Sequence, residues 1–167
     1  KFNKDFNVED FFKVPEPLIQ KEFSRIMSLK DGQKKMSKSE LSDLSRINLT
    51  DTKDQIVNKI KKAKTDTLPM PSGIDELRKR PEVNNLIGIY SSLSEESLEK
   101  IINTFSGKNF SEFKASLSQS LVDCLDQISN EIKKLKDDKE YLNQILYDGS
   151  KKANEIARKK IKKIDEI

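Results

Sequence analysis

The 167 residues give room for one ordinary domain or two small ones, and with 34% hydrophobic and 36% charged positions they can fill one modest core carried on exposed helices. Five Gly and five Pro are too few for a many-turned β-sandwich; the absence of His removes imidazole catalysis and His metal ligation, and the single Cys124 removes an internal disulfide or Cys-rich zinc site and fits a reducing compartment. The net charge of +4 is uneven, at +2 over residues 1–50, +3 over 51–80, −4 over 81–130 and +3 over 131–167, so basic regions that can attract phosphates flank an acidic middle.

The chain opens on Lys1-Phe2-Asn3-Lys4, without a Met or an apolar stretch of signal-peptide type, so the expectation is a piece cut from something longer. No apolar run approaches the ~18 residues of a membrane-spanning helix. Ile26-Met27-Ser28-Leu29 is a short apolar run before a charged turn and reads as a strand whose sheet partners lie outside this chain. Thr52-Lys53-Asp54-Gln55 reads as a capping box opening a helix with Ile56, Val57, Ile60 and Ala63 inside. Residues 66–81 hold three prolines and a glycine and read as a loop.

After Pro81 no proline follows, and helical spacing takes over. Val83, Leu86, Ile87, Tyr90 and Leu93 mark one helix. Ser94 reads as the cap of the next, with Glu95 and Glu96 in its first turn, Leu98, Ile101, Ile102 and Phe105 on its apolar face, and Gly107 ending it. The stripe Phe113, Leu117, Leu121, Cys124, Leu125, Ile128, Ile132 and Leu135 marks a helix of about six turns. A last stretch offers Leu142, Ile145, Leu146, Ala153, Ile156, Ile161 and Ile164, with Asp148-Gly149 as a candidate break. Helices are expected near 53–64, 82–93, 95–105, 111–135 and 139–165. Cys124, Tyr90, Phe105 and Phe113 read as core. Lys151, Lys152, Arg158, Lys159, Lys160, Lys162 and Lys163 make the final helix basic, as either a solvated face or an RNA contact.

One segment carries chemistry. Leu29-Lys30-Asp31-Gly32-Gln33-Lys34-Lys35-Met36-Ser37-Lys38-Ser39 gathers four lysines and two hydroxyls around one Gly, directly after the candidate strand. A flexible loop of this composition suits a polyphosphate: ammonium groups are mobile point charges, and hydroxyls and backbone N–H groups add donors. The spaced glycines of a Walker A loop are missing.

This segment sits in a longer pattern. Phe2-Asn3-Lys4 and Val14-Pro15-Glu16-Pro17 precede it. Arg25-Ile26-Met27-Ser28-Leu29 leads into Lys34-Lys35-Met36-Ser37-Lys38-Ser39. Asn48-Leu49-Thr50-Asp51, Lys59-Ile60-Lys61-Lys62-Ala63, Thr65-Asp66, Asn85-Leu86-Ile87-Gly88-Ile89-Tyr90-Ser91, Phe113-Lys114, Asp148-Gly149-Ser150, Lys152-Ala153 and Ile156-Ala157 follow in order. Over almost its whole length the chain resembles the C-terminal half of class I aminoacyl-tRNA synthetases, specifically the bacterial or organellar tryptophanyl-tRNA synthetase family.

The resemblance implies a mainly α fold. An α-helical anticodon-binding domain (residues 51–167) follows the last strand and signature loop of a class I Rossmann catalytic fold (residues 1–50). It implies ATP-dependent activation of tryptophan to the adenylate and transfer to tRNA(Trp), in the cytoplasm. On this resemblance Lys35 and Lys38 are catalytic, steadying the charge on departing pyrophosphate, with Lys38 the more important. Ser37 and Ser39 donate to phosphate or order the loop. Ile26 and Met27 offer backbone groups to adenine, and Met36 completes the ATP-binding set. Mg²⁺ comes with ATP, not from a protein metal site.

Class I enzymes also need a His-Ile-Gly-His-type motif, which a chain without His lacks. The tryptophan pocket and first half of the nucleotide fold are therefore expected elsewhere, and this stretch alone is expected to be inactive. The family forms homodimers through the catalytic fold, which leaves open a monomer for this stretch. Glu40-Leu41 stands where Asp-Pro often follows the motif. Two other readings stay open: a non-catalytic helical RNA-binding or protein-interaction module, and, within the class, a tyrosyl-tRNA synthetase.

Overall fold

The computed structural model describes residues 1–19 and 23–167. It is mainly α, with one small hairpin. In chain order the elements are α1 (Phe2–Asp5), β1 (Met27–Ser28), β2 (Asp31–Lys35), a 3₁₀ turn (Asp43–Ser45), α2 (Lys53–Lys62), α3 (Ile74–Arg78), α4 (Pro81–Ser94), α5 (Leu98–Phe105), α6 (Phe110–Asp137) and α7 (Lys139–Asp165). Two compact units divide the chain: Gln20–Lys133, and Lys1–Ile19 together with Lys134–Ile167.

Within Gln20–Lys133, local chemistry starts each helix. The Thr52 hydroxyl accepts the Gln55 N–H, and the Gln55 side chain accepts the Thr52 N–H, so the expected capping box is formed. Pro81 opens α4, where a missing N–H costs nothing. Glu95, at φ 57°, ends α4 in the left-handed region. Ser94 is therefore the last residue of α4, not a cap. Ser97 caps α5 instead, accepting the Lys100 N–H at 3.3 Å.

The core is where these helices face one another. Ile56 and Ile60 of α2, Leu77 of α3, Val83, Leu86 and Ile87 of α4, Ile101, Ile102 and Phe105 of α5, and Phe113, Leu117, Leu121 and Val122 of α6 are buried with Leu29 and Met70. Tyr90, Phe105 and Phe113 meet edge to face with centroids 5.3–6.1 Å apart, the arrangement ring quadrupoles favour. Three sequence expectations change here. Val57 points away from the core and is 45% exposed. Cys124 is exposed. The buried arc of α6 turns around the helix from the Phe113 side toward Val122 and Ser129, which leaves Cys124 outside it. Residues 66–81 are not wholly loop, because Ile74–Arg78 form α3. The Arg80 guanidinium ties this stretch together through Asp66 (2.6 and 2.7 Å), Glu76 (2.9 Å) and the Pro69 carbonyl (2.8 Å).

The Met27–Ser28 strand does have a partner in this chain. It pairs antiparallel with Asp31–Lys35, Met27 opposite Lys35 and Ser28 opposite Asp31, with an irregularity between the two pairs. The segment read as a flexible loop is thus a strand in its first part. Two strands are marginal alone, and among the described residues four hydrogen bonds to the hairpin backbone hold it, from the 3₁₀ turn, the chain after α2, and α4. Leu29 donates to the Ser45 carbonyl at 2.9 Å and accepts from the Lys64 N–H at 2.7 Å. The Asn85 amide of α4 accepts the Met27 N–H at 2.8 Å and donates to the Met27 carbonyl at 2.9 Å, acting as a third strand of one residue.

In the other unit, Phe2 of α1 stacks on Phe6 and meets Phe11 and Phe12, which also meet each other, with ring centroids 4.6–5.3 Å apart. The Lys160 ammonium of α7 lies over the Phe11 and Phe12 rings and donates to the Phe11 carbonyl. Asp138 caps α7, accepting the Tyr141 N–H. α7 then runs to Asp165 without a break at Asp148-Gly149, and none of its residues is buried.

Candidate nucleotide site

Where β2 ends, the chain turns outward. Met36 makes the last cross-strand bond, its N–H reaching the Ile26 carbonyl at 3.0 Å. Ser37 and Ser39 then close a local turn, their hydroxyls 2.9 Å apart and the Ser39 N–H 3.3 Å from Ser37 Oγ. Among the described residues, neither hydroxyl has a hydrogen bond outside this turn, which leaves Ser37 able to serve a ligand.

The turn walls a cleft of about 640 Å³. Ile26, Lys35, Met36, Ser37 and Lys38 line it, together with Ser24, Arg25, Arg46, Ile47, Asn48, Leu49 and Thr50. Met27 and Ser39 do not: Met27 has its backbone N–H and carbonyl engaged by Asn85, and Ser39 supports Ser37 from behind. Among the described residues, four cations and no carboxylate line the cleft. That donor set fits phosphate oxygens and does not fit a bare divalent ion, which would have to arrive on the phosphates. Among the described residues no cluster of three His, Cys, Asp or Glu side chains could hold a metal.

Sequence reasoning missed Arg46 and the network under it. Arg46 donates to the Glu40 carbonyl (2.9 Å) and Asn48 Oδ1 (3.2 Å) and pairs with Asp43 (3.0 Å). Asn48 bonds both Asp43 (3.0 Å) and Asp51 (3.1 Å). Lys59 of α2 closes the set at 2.7 Å from Asp43 and 2.6 Å from Asp51. The Lys59 ammonium, helped by the Asn48 amide, holds the Asp43 carboxyl below its usual range. The available signal was a lysine on the inner face of an amphipathic helix, next to Ile60.

The other side of the hairpin is fixed as firmly. Gly32 packs against the first turn of α4, where Glu82 pairs with Lys64 at 2.8 Å. That partner pulls the Glu82 carboxyl down and the Lys64 ammonium up. The strand that delivers Lys35 is therefore held by β1 on one side and seated on α4 at Gly32.

The model of the family described as tRNA synthetases class I (W and Y) matches residues 1–126. The chain belongs to this family. A tryptophan–tRNA ligase of Rickettsia felis is 50% identical over 164 residues, covering 98% of this chain and 49% of the relative. One of Caulobacter vibrioides is 46% identical over 157 residues, covering 94% of this chain and 46% of the relative. The tryptophanyl-tRNA synthetase structure from Mycoplasma pneumoniae superposes with a TM-score of 0.73 at 27% identity over 95% of this chain and 48% of its own. The Campylobacter jejuni synthetase, solved with ADP and tryptophan, shares the fold at a TM-score of 0.68 and 22% identity. The chain spans about half the length of the curated relatives it matches.

Proposed function

We propose that this chain is the C-terminal part of a tryptophan–tRNA ligase. The observation that carries the reading is that Lys35 and Lys38, on opposite sides of Met36 and Ser37, open onto one cation-lined cleft beside Ile26. In the reaction a tryptophan carboxylate oxygen bonds the α-phosphorus of ATP, the bond to the bridging oxygen breaks, and pyrophosphate leaves. A ribose hydroxyl of tRNA(Trp) then takes the acyl group and AMP departs. Charge grows on the pyrophosphate oxygens, so cations placed there act more strongly in the transition state than before it.

Lys38 carries that role, with Lys35 beside it. Ser37 donates to phosphate and Ser39 orders Ser37. Met36 and Ile26 shape the cleft wall toward adenine, and Met27 sets the backbone register. Mg²⁺ enters on the phosphates and offsets part of their charge. Residues 1–50 complete the catalytic domain and residues 51–167 contribute the helical domain that meets the anticodon. The full protein acts in the cytoplasm as a homodimer.

The test is tryptophan-dependent ATP–pyrophosphate exchange by the full-length protein. This chain alone should show none. Lys38→Ala should lower the exchange rate by on the order of 10²–10³ while tryptophan binding holds. An unchanged rate removes Lys38 from its role, and exchange driven by tyrosine in place of tryptophan overturns the substrate.

A further inference from the structure

Lys59 is a buried ammonium on the core side of α2, with only 3% of its side chain exposed. Such a charge persists only when paired and hydrogen-bonded. Asp51, 5% exposed and 2.6 Å away, satisfies that need. Asp51 is itself held by the Asn48 N–H at 2.8 Å. Asp43 is different: it is a second carboxylate on the same ammonium, 2.7 Å away, with 54% of its side chain in solvent. Lys59 does not need it for charge balance.

What Asp43 does is end the segment that carries Lys38. That segment is tied to the hairpin at Met36 and next meets the helical core at Asp43. Between them the hydrogen bonds among the described residues are local, Ser37 to Ser39 and Arg46 to the Glu40 carbonyl. Fixing both ends of a short segment limits where Lys38 can reach. A displacement near 1 Å of a charge-stabilising group is enough to cost a large factor in rate.

We propose that Lys59 is a positioning residue: through Asp43, which Arg46 and Asn48 also hold at 3.0 Å, it pins the far end of the phosphate-binding segment, so that Lys38 faces the cleft with Lys35. The proposal rests on the nucleotide reading of that cleft given above. Lys59→Met strands the buried Asp51 carboxylate and endangers folding, so the discriminating variant is Asp43→Ala, whose side chain is half in water.

The experiment measures tryptophan-dependent ATP–pyrophosphate exchange in the full-length protein for wild type, Asp43→Ala, Lys38→Ala and the double variant. If Asp43 acts by placing Lys38, Asp43→Ala lowers the rate by on the order of tenfold with an unchanged KM for tryptophan. In the Lys38→Ala background it then costs less than about twofold, because the group it places is gone. Equal losses in both backgrounds overturn the proposal, as does no loss in the first. A wild-type protein with no tryptophan-dependent exchange overturns the reading beneath it and the proposal with it.

Discussion

At Gly32 an added Cβ would lie 2.5 Å from the Glu82 nitrogen and 2.6 Å from the Pro81 carbonyl carbon, main-chain atoms at the start of α4 that cannot step aside. Gly32→Ala must therefore push β2 off α4, at a cost of about 1–3 kcal/mol in urea unfolding of this chain. Asn85→Ala should cost about 2–4 kcal/mol by leaving the Met27 N–H and carbonyl without their partners. Midpoints equal to wild type would show that the hairpin is not seated as described. At this scale the sequence was informative only where function is local. Lys35, Ser37 and Lys38 stand within four positions of one another, so their grouping on one cleft was legible. Asn85 works on a residue 58 positions away, and nothing in its neighbourhood advertises that. Lys59 gave one signal, its place on the inner face of α2 beside Ile60, but its carboxylate partners lie 8 and 16 positions away.

Helices were legible because their signals are local: the Thr52 capping box, Pro81 at the start of α4, the apolar period of α5 and α6. β2 was not, since Asp31-Gly32-Gln33-Lys34-Lys35 lacks a β-branched or aromatic residue and takes its shape from pairing with β1 and from Asn85 and Lys64 fixing that neighbour. Beside the apolar core, charge pairs also join these elements. Asp43 with Lys59, Asp66 and Glu76 with Arg80, and Glu82 with Lys64 each tie one element or loop to another. All four carboxyls sit below their ordinary values of 3.8 for Asp and 4.5 for Glu: Asp43 chiefly through Lys59, Asp66 through Arg80, Glu76 through the Ser72 N–H, Glu82 through Lys64. A carboxyl depressed in the folded state stabilises it above the unfolded value and loses that contribution as pH falls through the folded one. The urea midpoint should therefore stay level from neutral pH to about pH 5 and fall steadily below about pH 4.5. A midpoint that holds to pH 3 would mean these pairs contribute nothing to folding.

Across the whole molecule the apolar stripe and the core part company. The stripe on α6 runs to Leu135, but burial stops at Ser129, and Ile128 and Leu135 are 42% and 38% exposed. On α7 Ile145, Leu146, Ile156 and Ile161 are 51–73% exposed, and no residue is buried. Periodicity located the apolar faces of α4 and α5, but it misplaced Val57 and Cys124 and could not say where burial along α6 and α7 ends, because a stripe does not record what covers it. The consequence is uneven stability. An isolated helix of α7's length is marginal in water, since propagation barely outweighs nucleation without tertiary packing. α4 and α5 instead carry side chains at 0–2% exposure, among them Val83, Leu86, Ile87, Ile101 and Ile102. Opening α4 or α5 means breaking the core, whereas opening α7 breaks mainly the Lys160 contacts with Phe11 and Phe12 and the Asp138 cap. In native-state hydrogen exchange of this chain, α7 amides should exchange on the order of 100-fold faster than those of α4 and α5. The first half of α6, anchored by Phe113 and Leu117, should match α4, and its last turns should match α7. Equal protection in α7 and α4 would mean that α7 shares the core's cooperativity, and its exposed face would then need a partner, such as a second copy of this chain at the concentration used. Repeating the exchange at tenfold lower protein concentration separates the two cases, because a self-association that protects α7 weakens on dilution and intrachain packing does not.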